Sequence, residues 1–170
     1  MSSLIKPLIR HWMALAFVAS AVMLAIAHAF QTFGGLAPCT LCLEQRQVYW
    51  VALAVAGLGL VASRTAIGAR LKPLVPGLLA VIFLVGAGIA VYHAGAEWKW
   101  WPGPTACSGG SGASAAALAE LMHGARIKAP RCDEAAWVML GLSMAGWNAI
   151  ASVIFAAFSA AAAFARPTHG

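Results

Sequence analysis

WMALAFVASAVMLAIAHAF, residues 12–30, runs for 19 residues without a Lys, Arg, Asp or Glu. A helix crossing the hydrocarbon core of a bilayer needs about 20 apolar residues at 1.5 Å each. Lipid offers no water to backbone N–H and C=O groups, so such a stretch has to be helical. Three further stretches read the same way. Val48–Ala62 is an apolar run of 15, extended backward by the more polar Leu43–Gln47. Leu74–Tyr92 is again 19 residues without such a charge, and Ala135–Ala165 is 31. Lys6 and Arg10 precede the first stretch, and Ala27-His28-Ala29 imitates a signal-peptidase site. A signal core has only about 7–15 apolar residues, so the stretch is expected to be a retained helix.

Composition agrees. Of 170 residues 62% are hydrophobic and 9% charged, where a soluble domain carries about 25% charged residues. So few charges cannot cover a water-soluble fold of this size. The expected architecture is all-α: one integral domain over 1–170, a four-helix transmembrane bundle. The spans fall at about 11–30, 43–63, 73–93 and 137–164, with connections at 31–42 and 94–136 on one side.

Basic residues set the orientation, because they collect on the cytoplasmic side. The N-terminal tail, second connection and C-terminal tail hold Lys6, Arg10, Arg64, Arg70, Lys72 and Arg166 and no acid. The opposite side holds Arg46, Lys99, Arg126, Lys128 and Arg131 against Glu44, Glu97, Glu120, Asp133 and Glu134. The formal charge of +6 thus lies on one face, with both termini in the cytoplasm. Topology accounts for the basic balance, and no nucleic-acid partner is expected.

All four cysteines fall on the other side. Cys39 and Cys42 lie between spans one and two, Cys107 and Cys132 between spans three and four. An even number in an oxidising compartment implies disulfides, and proximity favours Cys39–Cys42 and Cys107–Cys132 among three pairings. Closing a four-residue ring stabilises a fold by about 2 kcal/mol, a 26-residue ring by about 3.5 kcal/mol. Cys39-Thr40-Leu41-Cys42 is therefore a poor staple but a familiar redox spacing. Pro38 sets the chain before a helix start, which puts Cys42 in a first turn where N–H groups and the helix dipole favour a thiolate. Arg46 is one turn further along the same face, although it could instead snorkel to the interface or pair with Glu44. Zinc is disfavoured because Cys107 and Cys132 are not a second knuckle. Haem attachment is disfavoured because Leu43, not His, follows Cys42. No metal is expected.

Ala94–Glu134 is long for a connection in a small bundle, and such loops are often functional. Trp98, Trp100 and Trp101 suit a membrane interface. Pro104-Thr105-Ala106-Cys107-Ser108 should be extended, and Gly109-Gly110-Ser111-Gly112 gives slack. Ala113–His123 reads as a short amphipathic helix resting on the membrane surface. Cys107 is thus expected on an extended arm. His93 ends span three and His28 lies near the end of span one, both on the cysteine side. Asn148 in span four suits an interhelical hydrogen bond.

The pattern resembles the disulfide bond formation protein B (DsbB) family. The likeness rests on Cys39-x-x-Cys42-x-x-x-Arg46, on Tyr92-His93 before a Trp/Pro-rich stretch and Cys107, and on Cys132 followed by Trp137, Leu140-Gly141-Leu142, Met144 and Trp147. It covers Leu8 to about Phe158. The resemblance implies a bacterial inner-membrane disulfide oxidoreductase that reoxidises a periplasmic, thioredoxin-fold DsbA-like partner and passes the electrons to a membrane quinone, ubiquinone or menaquinone. It implies redox-active disulfides Cys39–Cys42 and Cys107–Cys132. Cys107 would take the partner's mixed disulfide, and Cys132, once freed, would attack Cys39. Cys42 would face the quinone, with Arg46 stabilising its thiolate and His93 lining the quinone site. The route from DsbA through DsbB to quinone is a known way of keeping the periplasm oxidising. Three other readings compete. One is a branch with a dedicated partner such as a sulfotransferase-type enzyme. Another is a structural tetraspan protein with a loop staple. The third is a reductase of the vitamin K epoxide type, whose redox motif lies elsewhere in its bundle.

Overall fold

The computed structural model describes residues 5–65, 68, 74–104 and 131–165. Cys107 and the helix expected over Ala113–His123 lie outside these residues. The described chain has helices and one short hairpin as its regular elements. In order it has α1 (Ile5–Arg10), α2 (Trp12–Thr32), α3 (Thr40–Ala62), α4 (Leu74–Glu97), β1 (Val138–Met139), β2 (Leu142–Ser143) and α5 (Met144–Phe164).

Helices α2, α4 and α5 are each long and apolar enough to cross a membrane, and the protein is a multi-pass membrane protein. α3 is equally long at 23 residues, but its first turns carry Glu44, Gln45, Arg46 and Gln47, which lowers its apolar character. The helices pack as neighbours in chain order: α2 on α3, α3 on α4 and α4 on α5.

The bundle is built as lipid contact demands. Large apolar side chains point outward, among them Val18, Val22, Ile26, Leu58, Leu78, Val81, Leu84, Val85 and Val153. Small or polar residues fill the interior: Ala16, Ser20, Ala52, Ala56, Ala87, Ala90, Ser152, Ala156 and Ser159. Helices in lipid gain little from hiding apolar surface from one another; close approach and interhelical hydrogen bonds hold them. At one end Trp12 Nε1 donates to Ser159 Oγ at 2.7 Å, tying α2 to α5. Phe83 and Leu79 of α4 are fully buried at the centre, with Phe83 against Tyr49 and Phe155.

Two boundaries differ from the sequence reading. The third span continues to Glu97, one helical turn past Tyr92-His93, because Ala94-Gly95-Ala96 offers nothing to stop it. The fourth helix begins at Met144, not near Trp137. Leu140 and Gly141 both adopt positive φ, 53° and 79°, which is the two-residue turn that suits a tight hairpin. Val138 pairs with Ser143 and Met139 with Leu142. Ser143 then caps α5, its Oγ accepting from Gly146 N at 3.1 Å. The hairpin folds back over the bundle end: Trp147 Nε1 donates to Met139 O at 3.1 Å, and Trp137 packs on Phe30.

Candidate functional site: a thiol pair in a polar pocket

Cys39 is the N-cap of α3. Its backbone is extended (φ −78°, ψ 172°) and its Sγ accepts from Cys42 N at 3.3 Å. This is the usual task of a Ser or Asp oxygen at a helix start. One turn of helix brings Cys42 Sγ to 2.6 Å from Cys39 Sγ. Both are free cysteines; Cys39 is buried and Cys42 half-buried. The hydrogen bond to Cys42, together with burial, pushes the Cys39 thiol well above its ordinary range, so Cys42 is the sulfur that ionises.

His93 Nε2 lies 3.7 Å from Cys39 Sγ. The ligating atoms of Cys39, Cys42 and His93 all fall within 4.8 Å of one another. Two thiolates on a tetrahedral zinc at about 2.3 Å would stand about 3.8 Å apart. The observed sulfur separation is much shorter, which suits sulfur–sulfur chemistry.

Cys132 is fully buried and packs with Cys39 and Leu41, with Cys42 at the edge of the same cluster. It is disulfide-bonded. Its neighbours fix its place. Asp133 accepts from Lys99 Nζ at 3.0 Å and from Arg131 Nη2 at 2.9 Å. Arg131 first and Lys99 second hold the Asp133 carboxyl well below the usual carboxylate range.

Arg46 is half-buried and turned toward α2, donating to Gln31 Oε1 at 2.6 Å and Ala27 O at 3.0 Å. Its charge still favours a thiolate on Cys42. Below it, Trp50 and Leu53 of α3 and Ala21, Leu24, Ala25 and His28 of α2 line an open groove of about 330 Å³. His93 is buried and contacts the cysteine pair from the bundle interior.

Of the residues singled out from sequence, the structure brings together Cys39, Cys42, Cys132 and His93, with Arg46 one turn along α3. Asn148 makes the interhelical bonds expected of it, to Tyr49 and Gln45. Sequence reading missed Gln45, Tyr49 and Glu97. Gln45 and Tyr49 lie three and seven residues after Cys42, a helical spacing that puts all three on one face. Glu97 is four residues after His93, and its Oε1 is 3.7 Å from His93 Nε2.

Membrane-crossing helices with a dithiol held at one end define a class: a membrane protein that carries a close thiol pair at the head of a helix. Over residues 9–162 the sequence matches the family described as disulfide bond formation protein DsbB, and the chain belongs to that family. No curated protein and no solved structure matches it. The family makes this chain a membrane oxidoreductase of disulfide-bond formation.

Proposed function

We propose that the protein is a four-span thiol:quinone oxidoreductase of the bacterial inner membrane, with its cysteines in the periplasm. It would reoxidise a DsbA-like dithiol and deliver the electron pair to a membrane quinone. The observation that carries this reading is the burial of disulfide-bonded Cys132 against Cys39. Two redox pairs with a shared contact permit direct exchange.

The steps balance as follows. A thiolate of the reduced partner attacks Cys107 of the Cys107–Cys132 disulfide, and Cys132 leaves as thiolate. The partner's second thiol then displaces Cys107, so the partner departs oxidised. Cys132 attacks Cys39, the Cys39–Cys42 bond breaks and Cys42 leaves as thiolate. Cys107 displaces Cys39 from Cys132, restoring the loop disulfide and leaving Cys39 and Cys42 reduced. A quinone takes two electrons and two protons from that pair to become quinol. Arg46 holds negative charge at Cys42 and is braced for it by Gln31 and Ala27. The α2–α3 groove is open and mostly apolar, which fits a hydrophobic ring and tail. Metal chemistry plays no part in this scheme.

Protein in lipid nanodiscs, a reduced DsbA-like protein and ubiquinone or menaquinone provide the test. Quinone absorbance should fall one equivalent per dithiol oxidised, and Cys42→Ser should abolish it. Dithiol oxidation that proceeds without quinone reduction would overturn the reading.

A further inference from the structure

Four side chains from three helices form a chain in which each passes a hydrogen bond to the next. Tyr49 Oη–H donates to Asn148 Oδ1. Asn148 Nδ2–H donates to Gln45 Oε1 at 2.5 Å. Gln45 Nε2–H meets His93 Nδ1 at 2.8 Å. Gln45, His93 and Asn148 are all buried. An amide has one donor end and one acceptor end, so the direction of one bond sets the direction of the next.

With Nδ1 accepting, a neutral His93 carries its proton on Nε2. The surroundings of Nε2 agree. Glu97 Oε1 lies 3.7 Å away and as a carboxylate only accepts, while Cys39 Sγ, also 3.7 Å away, accepts or donates with either tautomer. The Glu97 side chain is 5% exposed; Ser143 bonds to its carboxyl, while Oε2 has no hydrogen-bond partner among the described residues. Turning every amide over would put the proton on Nδ1 and aim the Nε2 lone pair at a buried carboxylate.

The tautomer decides how the thiols share a proton. If Nε2–H faces Cys39 Sγ, the proton of Cys39 has Cys42 Sγ as its acceptor, 2.6 Å away. If Nε2 is bare, the Cys39 S–H turns to the imidazole and no longer supports a thiolate on Cys42. Two charged groups act on Cys42 besides: Arg46 on α3 favours its thiolate, and Glu97 on α4 opposes it. We propose that Gln45 and Asn148 are positioning residues that fix His93 as the Nε2–H tautomer, and thereby leave the thiolate of the reduced pair on Cys42 and the proton on Cys39. The inference rests on Cys39–Cys42 being the redox pair of the proposed reaction.

The test is the nitrogen-15 spectrum of full-length, histidine-labelled, reduced protein in lipid nanodiscs. His93 is assigned by the signals lost in His93→Asn. Nδ1 should give the unprotonated resonance and Nε2 the protonated one; a protonated Nδ1 overturns the proposal. Gln45→Glu and Asn148→Asp, on different helices, each replace a donor end with an acceptor. With the new carboxyl ionised, each reverses the bond that reaches His93, Gln45→Glu directly and Asn148→Asp by turning Gln45 over, and should exchange the two resonances. Each should also shift iodoacetamide labelling from Cys42 toward Cys39, changing the labelling ratio about tenfold per unit of relative thiol pKa. Resonances that stay in place, or exchange without any change in labelling ratio, overturn it. The spectrum needs no quinone turnover, so its failure is separable from failure of the proposed reaction. The wild-type spectrum alone decides the tautomer if a variant does not fold.

Discussion

Lys99 Nζ donates to the Asp133 carboxylate at 3.0 Å, joining the end of the helix that bears His93 to the residue after Cys132. Lys99 takes a left-handed backbone, φ 62°, which turns the chain out of α4. A second bond from Lys99 Nζ reaches Asp133 O at 2.5 Å. The tie is short in space and spans 34 positions in sequence. It sets where the loop segment carrying Cys132 returns to the cysteine pair.

Asp133→Asn should therefore loosen Cys132 from Cys39 without unfolding the bundle. The wild-type tie should tolerate mild acid. A carboxyl held low in the folded state contributes above its unfolded pKa of about 3.9 and fails only as pH falls through the lowered folded value. In the wild type the bridge should persist from pH 7 to about 5, so exchange between the two cysteine pairs, followed by trapping free thiols with a blocking reagent, should show no slowing from its loss over that range. In Asp133→Asn it should slow across that whole range. A wild-type bridge that is lost near pH 5 would contradict the assigned geometry.

Gly95 is a second fixed point. A Cβ there would sit 2.0 Å from Trp101 Cζ2. Trp101 lies over it, stacked on Tyr92 with ring centroids 6.0 Å apart and donating from Nε1 to Tyr92 O at 2.8 Å. Gly95→Ala must displace the indole. Overpacking of this kind costs about 1–3 kcal/mol. The expected result is a lower midpoint of thermal unfolding and a changed tryptophan emission; an unchanged emission would show that Trp101 does not pack there.

How much of this was legible in the sequence follows from the range of each signal. The helix start at Cys39-x-x-Cys42 is local: Pro38 and the onset of α3 mark it. The spans follow from apolar length, and the family from motif spacing. The β1–β2 hairpin was hidden because Leu140-Gly141-Leu142 lies inside a 31-residue run without charge, where apolar content outweighs one glycine. The polar chain that reaches His93 was not legible. Gln45, Tyr49 and Asn148 come from α3 and α5, up to 103 positions apart, and only the packed bundle brings them together. Asn148 stood out as a polar group in an apolar span; its partners did not.

Arg46→Ala should impair electron delivery from Cys42 more than exchange with the partner. Two hydrogen bonds to α2 and a charge beside Cys42 are lost together. A hydrogen bond to a charged group contributes about 1.5–3 kcal/mol, equivalent to about one to two decades in rate. Arg46→Lys should rescue in part, because one ammonium cannot reproduce the fork that reaches both Gln31 and Ala27. Stopped-flow reoxidation of the reduced protein by quinone measures the step. Equal rates in wild type and Arg46→Ala would leave Arg46 as a brace between α2 and α3 only.

The order of attack predicts which cysteine a partner captures. Cys132 is fully buried against Cys39 and Leu41, so an incoming protein cannot reach its sulfur in that position. Cys107 has the proline-led sequence Pro104-Thr105-Ala106 before it and Gly109-Gly110-Ser111-Gly112 after it. Such a segment can enter a groove on a thioredoxin-like fold as an extended peptide. Replacing Cys132 by Ser removes the thiol that would otherwise compete for Cys107. Cys132→Ser mixed with an oxidised DsbA-like protein should give an adduct in which the Cys107 thiolate has displaced one sulfur of the partner's disulfide. Non-reducing electrophoresis should show that species, and dithiothreitol should release it. Cys107→Ser with Cys132 intact should give little or none, because burial shields the remaining thiol. Equal adduct from the two variants would mean that Cys132 leaves its pocket to meet the partner, and the proposed sequence of exchanges would have to be reversed.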